Sequence, residues 1–158
     1  MQKSLPILLA VALMALFASC TKENSFEEGS GKANIYTWRF VEGGQEYSGI
    51  MDTAYVEEVT GIKVLSAEGV SNDGMDNIML AVGALNDIQP GTYTSPEALF
   101  NYLNNGNIKY EVDMSRMNFS IIITSINSES VSGTFSGTVF GEDGSDREIT
   151  EGTFTAPL

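Results

Sequence analysis

Asn107-Ile108-Lys109-Tyr110-Glu111-Val112-Asp113-Met114 places Ile108, Tyr110, Val112 and Met114 on one side and Lys109, Glu111 and Asp113 on the other. A period of two is the pattern of a half-buried β-strand. The same rule continues downstream. Phe119, Ile121 and Ile123 alternate, with Ile122 added, and then Val131, Phe135 and Val139 alternate with serines and threonines. Asp143-Gly144 marks a hairpin that leads to a final strand from Arg147 to Thr155. This third of the chain reads as antiparallel β-structure.

Toward the N-terminus the pattern persists. Asn34 to Val41 alternates, Glu42-Gly43-Gly44-Gln45 is a turn, and Glu46 to Val56 is a less regular strand. Ile62 to Val70 and Asp76 to Leu85 flank Ser71-Asn72-Asp73-Gly74, a second Asp-Gly hairpin signal. Ile78 to Val82 is apolar on both faces and predicts a central strand, and Thr92 to Thr94 adds a short one after Pro90-Gly91. One segment breaks the rule. Ser95-Pro96-Glu97 reads as a helix start, Leu99, Tyr102 and Leu103 follow at helical spacing, and Asn104-Asn105-Gly106 reads as the stop. The expectation is an all-β fold of about eight or nine antiparallel strands with one short helix. Sandwich and barrel-like closure give the same alternation, so both stay open. Gly133-Thr134-Phe135 is echoed by Gly152-Thr153-Phe154, too short to make a repeat.

The N-terminus has a different character. Lys3 precedes an apolar run from Leu5 to Phe17, and Ala18-Ser19 leads into Cys20, the only cysteine. This is the layout of a secretory signal, and the run is short for a bilayer span. Phe17-Ala18-Ser19-Cys20 resembles a bacterial lipobox, which implies cleavage before Cys20 and its acylation. Residues 1–19 then form the signal peptide, residues 20–33 the acylated cysteine and a polar tether, and residues 34–158 one β-domain. Lys22-Glu23 resembles the start of a surface-export signal, from which Asn24 departs. The expected partner is therefore a membrane, reached through the lipid anchor, and the expected location is the outer membrane, at the cell surface or its periplasmic face.

Cleavage leaves seven basic against 21 acidic side chains, a net charge of −14. Such a surface repels nucleic acid and anionic headgroups. With no histidine, and no cysteine beyond Cys20, Ser-His-Asp and Cys-His catalysis are excluded and the usual transition-metal ligands are missing. No cofactor is implied.

Four groups of residues carry candidate chemistry. Tyr36, Trp38 and Phe40 share one face and form either a core wall or a platform for sugar rings. Glu142, Asp143 and Asp146 gather carboxylates in a loop, a weak calcium candidate without EF-hand spacing. Asp52-Thr53-Ala54 resembles the short O-glycosylation motif of exported Bacteroides-type proteins, with Thr53 as acceptor. Paired carboxylates would suit glycoside hydrolysis only if two met across a cleft.

Gln89-Pro90-Gly91-Thr92-Tyr93, Val131-Ser132-Gly133-Thr134-Phe135-Ser136-Gly137 and Ile149-Thr150-Glu151-Gly152-Thr153-Phe154, with the lipobox, resemble small Bacteroidota lipoproteins of unknown function. The resemblance implies an exported all-β module and no activity. The functional expectation is a lipid-anchored envelope module with a non-enzymatic binding or structural role. A glycan-binding accessory lipoprotein of a polysaccharide-uptake system is the alternative, and a carboxylate-based glycoside hydrolase a third.

Overall fold

The computed structural model describes residues 36–116 and 118–158. Cys20, the signal segment and the tether lie outside them. Residues Asn34–Leu158 group into one compact unit.

The described residues form ten strands and no helix: β1 Thr37–Glu42, β2 Gln45–Val59, β3 Ile62–Ser71, β4 Asp76–Ala84, β5 Gly91–Thr94, β6 Ala98–Asn104, β7 Asn107–Glu111, β8 Phe119–Ile126, β9 Ser130–Gly141 and β10 Asp146–Pro157. All pairings are antiparallel. The order β10-β1-β2-β3-β4-β6-β7-β9 closes on itself through β9–β10, which makes an eight-stranded barrel. The edge of β9 away from β10 is divided. Phe140 and Gly141 pair with β7, whereas Val131 to Gly137 pair with β8. β8 in turn carries β5, so these two strands extend the wall where β7 stops. The alternation expected from sequence is thus realised as a barrel, and closure removes most of the exposed edge an open sheet would present.

The short helix expected after Ser95 is corrected by the fold. Ala98, Phe100 and Tyr102 are buried while Leu99, Asn101 and Leu103 alternate outward, so the segment is β6. Two large aromatics at period two gain more by filling the barrel than a two-turn helix gains from its caps. Asn105 and Gly106 both have positive φ, 50° and 79°, and connect paired Asn104 and Asn107. That is a two-residue type I′ hairpin, not a helix stop. Gly43-Gly44 and Thr60-Gly61 close the β1–β2 and β2–β3 hairpins the same way. β7 also ends earlier than the alternation suggests, at Glu111. Asp113 starts a tight turn instead, accepting from Ser115 N at 2.9 Å.

Aromatic side chains fill the barrel. The Phe40 ring lies 4.8–6.4 Å from the rings of Trp38, Tyr47, Phe100, Tyr102, Tyr110 and Phe135. Gly49 lies opposite Trp38, and a Cβ there would come within 2.8 Å of the indole. The indole Nε1 donates to the Val70 carbonyl at 3.1 Å. The space left between Leu65, Leu80, Val82, Ile121, Ile123 and Phe154 is about 10 Å³, no more than one water needs.

Candidate functional site: an apolar groove on the outer wall

Side chains of a barrel strand alternate between interior and exterior, and one part of the exterior of β3, β4 and β6 gathers the apolar residues Ile62, Val64, Ala81 and Leu99. The register sets the arrangement. On the outer face Glu57 of β2 opposes Val64 of β3, which opposes Gly83 of β4, and Gly83 N donates to the Glu97 carbonyl at 2.8 Å. One row along, Tyr55, Ser66, Ala81 and Leu99 stand side by side, and Ile62 follows Val64 toward the strand end. The small residues Ala81 and Gly83 lower the floor between the bulkier Ile62 and Val64 on one bank and Pro96 and Leu99 on the other. The resulting groove encloses about 420 Å³, within the usual range for ligand sites. Leu85 stands at its end, 82 % exposed. A Cβ on Gly83 would touch only Ile62 Cγ2, at 3.6 Å, so the floor is open rather than occupied by neighbours.

The rim is acidic. Glu57 and Glu97 have no ion-pair partner among the described residues. Lys63, the nearby cation, is held by Glu58 at 2.9 Å. Its ammonium is stabilised further by Asp87, and both carboxylates raise its proton affinity.

A second cluster caps one end of the barrel. Lys109 Nζ donates to Tyr47 Oη at 3.1 Å, Tyr47 and Tyr110 share a hydrogen bond of 3.2 Å, and Tyr110 donates to Glu42 Oε2 at 2.8 Å. Arg147 reaches Glu42 at 3.7 Å and Asp143 at 3.0 Å. Lys109 also lies over the Tyr47 and Tyr110 rings, 4.8 and 5.4 Å from their centres. Burial, and then the hydrogen bonds to Tyr47 and Glu42, push the Tyr110 hydroxyl well above its ordinary range. Each of these groups is satisfied by another member, and the recess beside them is about 130 Å³. The cluster works as a polar plug that closes the barrel end.

The residues singled out from sequence are scattered. Trp38 and Phe40 are buried, Trp38 at 1 %, and Tyr36 is half-buried against the core. The shared face is a core wall, and it offers no stacking surface to a sugar. Asp143 accepts from Ser145 N at 3.0 Å and pairs with Arg147, while Asp146 takes Arg116 at 2.8 Å. The hydrogen bond from the Ser145 hydroxyl, above all, holds the Asp143 carboxyl down at about 2. Those carboxylates order the hairpin tip and bind arginines. Among the described residues no three His, Cys, Asp or Glu side chains gather as metal ligands. Thr53 is exposed on β2 beside a bulge, opposite Glu68. Hydrogen bonds from Ser71, Ser115 and Ser145 lower Asp73, Asp113 and Asp143 respectively, the direction opposite to what a general acid needs. The groove was not read from sequence, although Ile78 to Val82, apolar on both faces, carried its signal.

No family model, no curated protein and no solved structure matches this chain.

Proposed function

We propose that this protein is a lipid-anchored module of the bacterial envelope, held in the outer membrane through Cys20, which binds a partner on the outer wall of its barrel and catalyses no reaction. The observation that carries the reading is a contrast in space. The recess inside the barrel among Leu65, Leu80, Ile121 and Phe154 holds only about 10 Å³, whereas the groove outside is open and apolar, at about 420 Å³. A ligand carrier of this architecture needs an interior cavity, and exposed apolar surface on a soluble domain marks an interaction site. The lipobox around Cys20 supports the anchor. Its resemblance to small Bacteroidota lipoproteins supports exposure at the cell surface or the periplasmic face.

Two measurements test this. Cys20→Ala should abolish incorporation of labelled palmitate and leave the protein in the soluble fraction; unchanged labelling removes the anchor from the proposal. Nile red, a neutral apolar dye, should bind the folded mature chain and lose most of its binding in Gly83→Val, where the new methyls fill the floor. Dye binding that ignores this substitution would place the apolar site elsewhere.

A further inference from the structure

We infer that the groove takes a cationic amphipathic peptide segment of a partner protein; this rests on the outer-wall reading above and names the chemistry of the occupant. The floor at Ala81 and Gly83 accepts apolar side chains, Glu97 lines the groove beside Pro96, and Glu57 lies one strand beyond the Val64 bank, level with Gly83 in the register. Lys63 is already paired with Glu58, so the local field is negative. An occupant with an apolar stripe and lysines or arginines on its flanks satisfies both features at once.

The same geometry argues against other occupants. A second copy of this chain would bring its own Glu57 and Glu97 against these, and like charges across an interface are costly. An anionic bilayer surface is repelled for the same reason, and by the −13 net charge of the full sequence. Strand addition is also closed off, because the backbones of β3 and β4 are paired on both sides. Recognition must therefore pass through side chains. The banks on β3 and β6 stand two strand spacings apart, roughly 10 Å between backbones, so a helix about 10–12 Å across would lie over the floor and lower one row of apolar side chains between them. Helix-in-groove docking is an established mode for such a surface.

The test uses the mature chain with Cys20→Ser, so that no lipid competes for the groove. Three fluorescent peptides of ~18 residues, about five helical turns, are compared by anisotropy: an amphipathic Leu/Lys helix, the same helix with Glu for Lys, and a scrambled Leu/Lys sequence. The ordered Leu/Lys peptide should bind at least about tenfold more tightly than either control. Gly83→Val should remove that preference, and Leu85→Ser, a change at an exposed site that leaves folding intact, should weaken binding severalfold. Glu57→Gln with Glu97→Gln should cost about tenfold and flatten the salt dependence. Equal binding of the ordered and scrambled peptides, or indifference to Gly83→Val and Leu85→Ser, would reduce the effect to bulk charge and overturn the inference. If Nile red still reports the groove in that case, the outer-wall reading survives and only the peptide is wrong. If Nile red fails too, both fall.

Discussion

Gly152 lies directly opposite Phe135 in the β9–β10 ladder, and Phe154 lies opposite Gly133, so each ring lies across the other strand's glycine. The two Gly-Thr-Phe triplets run antiparallel, with Thr134 paired to Thr153 between them. A Cβ on Gly152 would sit 2.2 Å from the Phe135 carbonyl oxygen and 2.6 Å from its ring. Neither neighbour can withdraw without disturbing the ladder or the core. Gly152→Ala should therefore cost about 1–3 kcal/mol, the range for overpacking a filled core. Gly91→Ala, whose nearest neighbour is 4.0 Å away, should be close to neutral. Equilibrium urea unfolding of the two variants decides the matter, and equal midpoints would refute the reading.

The triplets also mark a limit of local periodicity. Their likeness is visible as an echo, but its cause is a pairing between residues 17 to 21 positions apart, which periodicity does not report. Strand positions were legible because one face of each strand meets a filled interior: Phe119, Ile121 and Ile123 announce β8 without further help. Closure into a barrel was not, since alternation is the same in a sandwich. β6 is ambiguous in sequence because Leu99, Tyr102 and Leu103 match a helical stripe as well as Ala98, Phe100 and Tyr102 match a strand. Only the aromatic cluster around Phe40 decides between them. The groove escaped for a related reason: a strand apolar on both faces predicts cover on both, and β4 has its outer face open.

Trp38 provides an optical check on the core, because it is the only tryptophan. At 1 % exposure, with its Nε1 bonded to Val70, the indole should emit at blue-shifted wavelengths and resist acrylamide. Addition of glycans should leave the emission unchanged. Trp38→Ala should lower stability by about 3–5 kcal/mol through the cavity it creates. A red-shifted, readily quenched emission in the folded domain would contradict the burial.

Thr60 is a local misfit. It holds φ at 50° in the Thr60-Gly61 turn, a conformation that a β-branched residue adopts at a cost. Asn105 occupies the equivalent first position of the Asn105-Gly106 turn with the same φ. Thr60→Asn should stabilise the domain by about 1 kcal/mol, since the Thr60 side chain is exposed. Thermal unfolding checks it; a lower midpoint in the variant would show that Thr60 has a role the backbone does not reveal.

Two part-buried tyrosine hydroxyls should make the domain lose stability at alkaline pH. Tyr102 donates to Asp76, which also accepts from Asn104 Nδ2 at 2.7 Å, and Tyr110 donates to Glu42. Burial, and then the neighbouring carboxylate, raise Tyr102; burial, and then the bonds to Tyr47 and Glu42, raise Tyr110. In the unfolded chain both release their protons near pH 10. Above that pH the unfolded state binds fewer protons than the folded state, so stability falls as pH rises; below it the contribution is fully present. Tyrosinate absorbance of the folded domain should therefore lag behind that of the urea-unfolded chain above about pH 10. The deficit should close together with the loss of β-sheet circular dichroism, and Tyr110→Phe should shrink it. Superimposable folded and unfolded titration curves would mean that neither hydroxyl is held in its protonated form by the barrel.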